Sequence, residues 1–245
     1  MVTRDRPLLL AAALASVTLQ VPAPLEVRVG DDGGGADAVT VADSLPALEV
    51  TVVACSHGQA AAARNAAAAG ARGEVLAFLD DDDLWRAGHL GPLAQAFRDP
   101  AVGFAWRDCV VAREQVHVDG TRAVLESRLL AREWDDALMR SDDYLPPSTW
   151  GVRRTLFERL GGFDEDFRYS EDWDFVLRAA AVTRVLRVPG VTVEVRLRET
   201  GNTSADRTAE RLDCLRRLAE RHGFTTPVPK TFWEVALALG VASST

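Results

Sequence analysis

The sequence predicts an α/β fold, a mainly parallel sheet flanked by helices, and three observations carry that expectation. Residues 25–29, 48–54 and 75–79 are short apolar runs of strand length. Each is followed by a polar or glycine-rich turn: Asp31-Asp32-Gly33-Gly34-Gly35, Ser56-His57-Gly58 and Asp80-Asp81-Asp82-Asp83. Helical stretches at 7–17 and 60–69 intervene, as βαβ units require. Ligands of such sheets collect beyond the carboxyl ends of the strands, where these polar turns fall.

The first helical stretch imitates a secretory leader, because arginines precede the apolar run 8–19. Pro7 nevertheless suits the first turn of a helix. Leu10, Ala13, Leu14 and Val17 then share one face, so the segment reads as an amphipathic core helix. No later run is long and apolar enough to span a membrane.

Beyond Trp85 the pattern predicts a helix over 90–97, strands around 102–112, and a hairpin at Val116-His117-Val118-Asp119-Gly120. A helical stretch over 129–139, a strand at 149–152 and a helix over 155–160 follow, the last stopped by Gly161-Gly162. Ser170 can cap the next helix, which sets Trp173, Val176, Leu177 and Ala180 on its buried stripe. Strands at 185–188 and 191–197, a polar loop at 201–204 and a helix over 205–222 complete the chain.

Composition narrows the function. A net charge of −8 argues against a nucleic-acid surface, which needs a basic patch. An anionic ligand therefore has to be bridged by a cation or held by a few placed arginines. Cys55, Cys109 and Cys214 fit neither a disulfide framework nor a zinc pattern and read as reduced thiols of a cytoplasmic protein.

The chemistry concentrates in two acidic sites. Adjacent carboxylates at Asp80-Asp81-Asp82-Asp83 repel one another unless a cation neutralises them. In an extended segment Asp80 and Asp82 point the same way and Asp81 the other, so alternate side chains can grip one divalent ion while a neighbour reaches a ribose. The plainer alternative is that Asp83 caps a helix at Leu84-Trp85, yet capping uses a single carboxylate. Asp31-Asp32-Gly33 by itself reads as a turn, and Arg64-Asn65 as a surface pair unless a diphosphate lies beside Arg64. Glu171-Asp172-Trp173-Asp174 opens a helix, where acids complement the dipole without any function. The helical wheel puts Asp172 and Asp174 beside the buried stripe and turns Glu171 away, so Asp172 can stand at a cleft wall.

Taken in order, Thr3-Arg4-Asp5-Arg6-Pro7, Val29-Gly30-Asp31-Asp32-Gly33, Ala63-Arg64-Asn65, Phe78 to Trp85 with its aspartates, Gly161-Gly162-Phe163-Asp164 and Ser170-Glu171-Asp172-Trp173-Asp174 form a series. That series resembles family 2 glycosyltransferases of the GT-A (Rossmann-like) fold over residues 2–204. The resemblance implies a nucleotide-diphospho-sugar donor (a UDP-, dTDP- or GDP-sugar), Mg²⁺ or Mn²⁺, a hydroxyl-bearing acceptor, and inversion at the anomeric carbon. It further implies that Thr3 and Asp32 belong to the nucleoside pocket and Arg64 lies near the donor. Asp80 and Asp81 look like ribose and metal contacts, Asp82 like the principal metal ligand, and Asp172 like the catalytic base flanked by Glu171 and Asp174.

Two features depart from that family's pattern. Only Met1 and Val2 precede the first turn, which leaves a central strand nearly absent, and 193–198 holds no histidine to serve as a metal ligand, only Arg196 and Arg198. The expected organisation is one GT-A-like domain over 1–245: residues 1–100 for donor and metal, 101–204 for acceptor and base, and 205–245 as a helical extension. Two other readings stand beside transfer: a nucleotide-sugar-binding scaffold without turnover, and a sugar nucleotidyltransferase. Against the latter, no glycine-rich triphosphate loop with a basic residue lies near the N-terminus.

Overall fold

The computed structural model describes residues 1–33, 36–56, 58–116, 121–198 and 209–242. Its first half is parallel. Strands β1 (Val2–Thr3), β2 (Val27–Asp31) and β3 (Val50–Ala54) pair in that order, with helices α1 (Pro7–Thr18), α2 (Ala36–Asp43) and α3 (Ala60–Ala68) between and after them. Pro7 sits in the first turn of α1, where its missing N–H has no partner to lose, and Leu10, Ala13, Leu14 and Val17 are buried. β2 runs two residues later than the apolar run suggests. Asp31 is drawn into the ladder because Thr3 and Ala54 flank it on both sides, while Leu25 stays exposed. α3 lies so close to β2 that a Cβ on Gly30 would stand 2.3 Å from the Ala63 carbonyl oxygen, so only glycine fits there.

The second half is built on one long strand. After β4 (Val75–Ala77), β5 (Leu84–Trp85) and α4 (Leu90–Ala96), β6 spans Val102–Val116. There follow β7 (Arg122–Leu130), α5 (Asp136–Met139), a 3-10 turn (Pro147–Thr149), β8 (Trp150–Arg153), α6 (Arg154–Arg159), α7 (Glu171–Ala180) and β9 (Arg184–Arg198). The chain closes with α8 (Ala209–His222), α9 (Phe232–Leu239) and β10 (Val241–Ala242). β6 pairs antiparallel with β8 and then β7 on one edge and parallel with β9 on the other. The strands therefore make a parallel three-stranded sheet and a mixed seven-stranded one, which the Val2–Asp80 bridge brings together.

Two expectations give way to tertiary pairing. Residues 122–130 form a strand against β6, so the helix expected over 129–139 shrinks to α5. The two strands expected at 185–188 and 191–197 are one, because irregularities in the β6–β9 register absorb the break at Pro189-Gly190. There Asp108 accepts from Arg187 at 2.7 and 2.9 Å and from the Gly190 N–H at 3.0 Å. The hairpin tip at 117–120, the loop at 201–204 and the start of the helix expected from 205 lie outside the described residues.

β1 is short but central. Val2 pairs with Gly30 of β2 on one side and bridges to Asp80, just past β4, on the other. The Met1 amine donates to the Arg28 carbonyl at 2.8 Å, and burial lowers its pKa to about 5. Behind Met1, the space between β2 and β4 is a cavity of about 240 Å³ lined chiefly by apolar groups, among them Val27, Leu76, Phe78 and Leu93. The main core is aromatic: Trp150 stacks on Phe175 at 5.6 Å, with Phe78, Phe104, Phe157 and Phe163 around the pair. It fixes α6 and α7 to the sheet. All three cysteines are buried and unpaired.

His89, at the entrance to α4, is fully buried, stacked on Trp85 at 4.5 Å, with Nδ1 3.0 Å from the Thr192 hydroxyl. Arg107 Nε donates to that hydroxyl at 3.2 Å, so the hydroxyl proton is available to His89. Burial, with Arg107 nearby, lowers the His89 pKa from 6.5 to about 3. Between those values the unfolded chain binds a proton the folded chain does not, so stability rises with pH across this window and is lost as pH falls. His89→Asn is expected to flatten the dependence of unfolding free energy on pH between pH 4 and 6 by up to about 1.4 kcal/mol per pH unit, measured by urea melts.

Candidate active site

The aspartate run leaves β4 through a turn, not as the extended, alternating segment expected: the Asp83 N–H donates to the Asp80 carbonyl at 3.2 Å, with Asp81 and Asp82 at the bend. Asp80, Asp82 and Asp83 line a cleft of about 280 Å³. Asp81 turns the other way, accepting from the Thr3 hydroxyl at 2.7 Å and facing Arg6 at 3.2 Å. Asp83 caps no helix, since Leu84–Trp85 is a strand. It accepts instead from the Ser148 hydroxyl at 2.5 Å and the Arg196 N–H at 3.0 Å, which ties the run to the 3-10 turn and to β9. Crowding shows in the acidities: burial and the neighbouring Asp82 push Asp81 up to about 6 against the pull of Arg6 and Thr3. Burial, then Asp82 and Asp80, raise Asp83 well above the usual carboxylate range.

The second acidic segment forms the opposite wall. Ser170 precedes α7 in the left-handed region at φ 63° and makes no capping bond with its side chain, contrary to its expected role. That turn redirects the first helical residue, so Glu171 does not face away as the helical wheel has it but is buried and directed inward. α7 buries Trp173, Phe175, Val176 and Ala179, with Leu177 and Ala180 only partly covered. Asp172 lines the cleft and accepts from the Trp173 N–H at 2.9 Å.

Arg64 joins the two walls. From the middle of α3 its Nη2 donates to Asp80 at 2.7 Å and its Nη1 to Glu171 at 2.6 Å, with the guanidinium 5.6 Å from the Phe163 ring. Burial alone would lower its pKa, but Asp80 and Glu171 outweigh that and hold it above its ordinary value. Burial raises Asp172, with Arg64 opposing. Asn65 completes the join: its amide donates to the Phe163 carbonyl at 2.8 Å and accepts from the Phe163 N–H at 2.9 Å, so α3 grips the turn leading toward α7. A Cβ on Gly162, at φ 73°, would stand 2.5 Å from Asn65 Oδ1.

Of the remaining expected site residues, Thr3 borders a smaller cavity of about 120 Å³ with Asp5, Arg6, Asp31 and Ala38. Asp32 lies beside it in sequence and accepts from the Gly58 N–H at 2.9 Å. Asp174, grouped with the catalytic acids from its position in the motif, is outside the cleft lining. It is fully buried and bonded to Arg178 at 2.6 Å, Arg221 at 3.1 Å and His222 at 2.9 Å, so it joins α7 to α8. Burial would raise its pKa, yet the His222 hydrogen bond and the two arginines hold it below the usual value. Asp143 is the residue that sequence reading missed. It lines the cleft beside Asp172, and burial with the Asp172 charge raises its pKa; the acidic pair before Tyr144 was its one signal.

Among the described residues no three His, Cys, Asp or Glu side chains are grouped to enclose a metal ion. Asp80 and Asp82 nevertheless share the cleft wall, and Mg²⁺ or Mn²⁺ carried on a diphosphate needs only one or two carboxylates, phosphate oxygens and water supplying the rest. The residues fit an ion of that kind.

This mixed sheet, with strand-end acids facing a second acidic segment across one cleft, has the GT-A fold. Solved structures share the fold. S. aureus TarS 1–349, solved with UDP-GlcNAc, matches with a TM-score of 0.66 at 20% identity over 89% of this chain and 64% of that one. The mannosyltransferase PcManGT from Pyrobaculum calidifontis, solved with GDP-Man and Mn²⁺, matches at 0.59 and 21% identity over 99% and 64%. This chain thus spans less than two thirds of either solved chain. It belongs to glycosyl transferase family 2, whose model matches residues 1–161. It is 34% identical over 234 residues to the uncharacterized glycosyltransferase YwdF of Bacillus subtilis (strain 168), covering 94% of this chain and 85% of that one. The O-antigen biosynthesis protein RfbC of Myxococcus xanthus is 28% identical over 180 residues, 71% of this chain and 13% of that one. No helix among the described residues is long and apolar enough to cross a membrane.

Removing one partner of a buried ion pair leaves the other uncompensated. Arg64→Met, which strips the charge from both Asp80 and Glu171, is expected to lower the unfolding free energy by about 3–5 kcal/mol. The double variant Arg64→Met/Glu171→Gln is expected to recover part of that loss, read in the same urea melts.

Proposed function

We propose that this chain transfers a sugar, with inversion, from a UDP-, dTDP- or GDP-sugar to a hydroxyl acceptor, with Mg²⁺ or Mn²⁺ bound beside the donor diphosphate. The observation that carries the reading is the Arg64 bridge, which sets the strand-end aspartates and the α7 carboxylates on facing walls of one cleft. Inverting transfer needs that opposition, because the hydroxyl attacks the anomeric carbon from the side opposite the leaving diphosphate.

In this reading Thr3 and Asp32 border the nucleoside, Asp80 stands by the ribose, Asp81 steadies that edge through Thr3 instead of reaching the ion, and Asp82 with Asp80 would hold the ion. A divalent cation on the diphosphate stabilises the charge that develops as it leaves. Asp172 takes the proton from the attacking hydroxyl. A sugar hydroxyl is a weak nucleophile, and a carboxylate raised by burial is a stronger base than an exposed one. Glu171, held by Arg64, fixes the helix start that aims Asp172. The UDP-GlcNAc and GDP-Man in the solved relatives support this donor class.

Asp172→Asn is expected to keep donor binding and lose turnover by at least about 100-fold, the usual scale of general base catalysis. Asp82→Ala is expected to lose metal-dependent nucleotide binding. Calorimetry with UDP and GDP, with and without Mn²⁺, followed by a donor-consumption assay checks both, and normal transfer by Asp172→Asn would refute the base assignment. The base works ionised, so kcat/KM is expected to fall as pH drops through an apparent pKa above the ordinary carboxylate range, read from the acid limb of the pH profile.

A further inference from the structure

A third wall of the cleft comes from the end of the chain. Leu215 of α8, Phe232 and Val235 of α9, and Val228, Pro229 and Lys230 between those helices line the same space as Asp80 and Asp172. Lys230 is the chain's only lysine. Its backbone is pinned from two directions: the Lys230 carbonyl accepts from Arg211 Nη2 at 2.6 Å, and the next residue, Thr231, caps α9 in a reciprocal pair with Glu234. Its ammonium donates to Asp142 Oδ1 at 2.5 Å, and Asp142 is 7% exposed, so the acid is the buried member of the pair. Asp143 follows directly, which places the ion pair on the turn that brings a further acid beside Asp172. The other end of that turn is tied to α7, where Trp173 Nε1 donates to the Met139 carbonyl at 2.8 Å. Trp173 in turn stacks with Phe224, just beyond α8.

We infer that Lys230 is a positioning residue for the base site: by neutralising Asp142 it holds the Asp142-Asp143 turn against α7, keeps Asp143 beside Asp172, and fixes 228–230 as the wall of the cleft on the acceptor side. The inference rests on the reading of Asp172 as the base and deepens it. Arg64 does not take this part, because Asp80 and Glu171 occupy it. Without the ammonium, Asp142 is a desolvated carboxylate with no compensating charge from Lys230, in a cleft that already holds Asp143, Glu171 and Asp172. Repulsion then drives the turn toward solvent. What counts is therefore the charge of Lys230 more than its bulk. A lysine that touched the substrate itself would behave differently, since neutralising Asp142 would not offset its loss.

Two measurements separate position from turnover: amide hydrogen exchange in the ligand-free chain, and consumption of UDP-GlcNAc, UDP-glucose, dTDP-glucose and GDP-mannose with Mn²⁺. Lys230→Met, which keeps the bulk and removes the charge, is expected to speed exchange across 140–147 at least about tenfold. It is also expected to lower kcat for the consumed donor at least about tenfold while donor KM stays within about twofold. Lys230→Arg is expected to keep the wild-type values, and Lys230→Met/Asp142→Asn to regain most of both losses. Acylation of the folded wild-type chain removes the same charge at its single lysine, and it keeps the test open if Lys230→Met fails to fold. Wild-type exchange across 140–147 in the folded variant or the acylated chain would refute the positioning role. A fall in kcat that the double variant does not restore would make Lys230 a substrate contact and refute it as well. If the wild-type chain consumes none of the four donors while exchange responds as expected, the transfer reading fails and the hold of Lys230 on Asp143 stands.

Discussion

One buried guanidinium organises this protein. Arg64 reaches from the third helix to Asp80 on one side and Glu171 on the other, two residues far apart in the chain. Without a cation between them, those carboxylates and their neighbours Asp82 and Asp172 would repel across a partly desolvated cleft. With it, repulsion becomes a bridge, and the two acidic walls of the cleft are held together. The adjacent Asn65 repeats the connection in neutral form through the Phe163 backbone, so α3 acts as a strut between the strand-end acids and the turn leading to α7.

The sheet carries the same two sides. β6 and β9 run in parallel for most of their length, and β9 leads from the C-terminal end of α7 to Arg196 and Arg198 beside the aspartates. The helix that presents Asp172 and the strand that compensates Asp82 are therefore consecutive elements of the chain. Charge balance at the aspartate run and orientation of the α7 carboxylates depend on a shared frame.

The short apolar strands with their polar turns, the α1 stripe and the ordered motifs were legible because each rests on local chemistry: alternation, a helix-starting proline, crowded acids. What sequence hid was set by partners. The helix expected over 129–139 loses its start because residues 122–130 find the edge of β6 and become a strand. Glu171 faces inward, against the helical wheel, because Ser170 turns the chain through the left-handed region just before it. Asp174 matches the motif as well as Asp172 does, but Arg178, Arg221 and His222 claim it, and two of those lie on a helix nearly fifty residues later. Asp143 had only its acidic neighbour to mark it, since the folded chain alone brings it beside Asp172.

The brevity of β1 concentrates what that edge of the fold can transmit. Val2 meets Gly30 of β2 on one side and Asp80 on the other, and Thr3, the next residue, steadies Asp81. A substitution that loosens Val2 from either neighbour therefore reaches the aspartate run through the backbone, without altering a single acid.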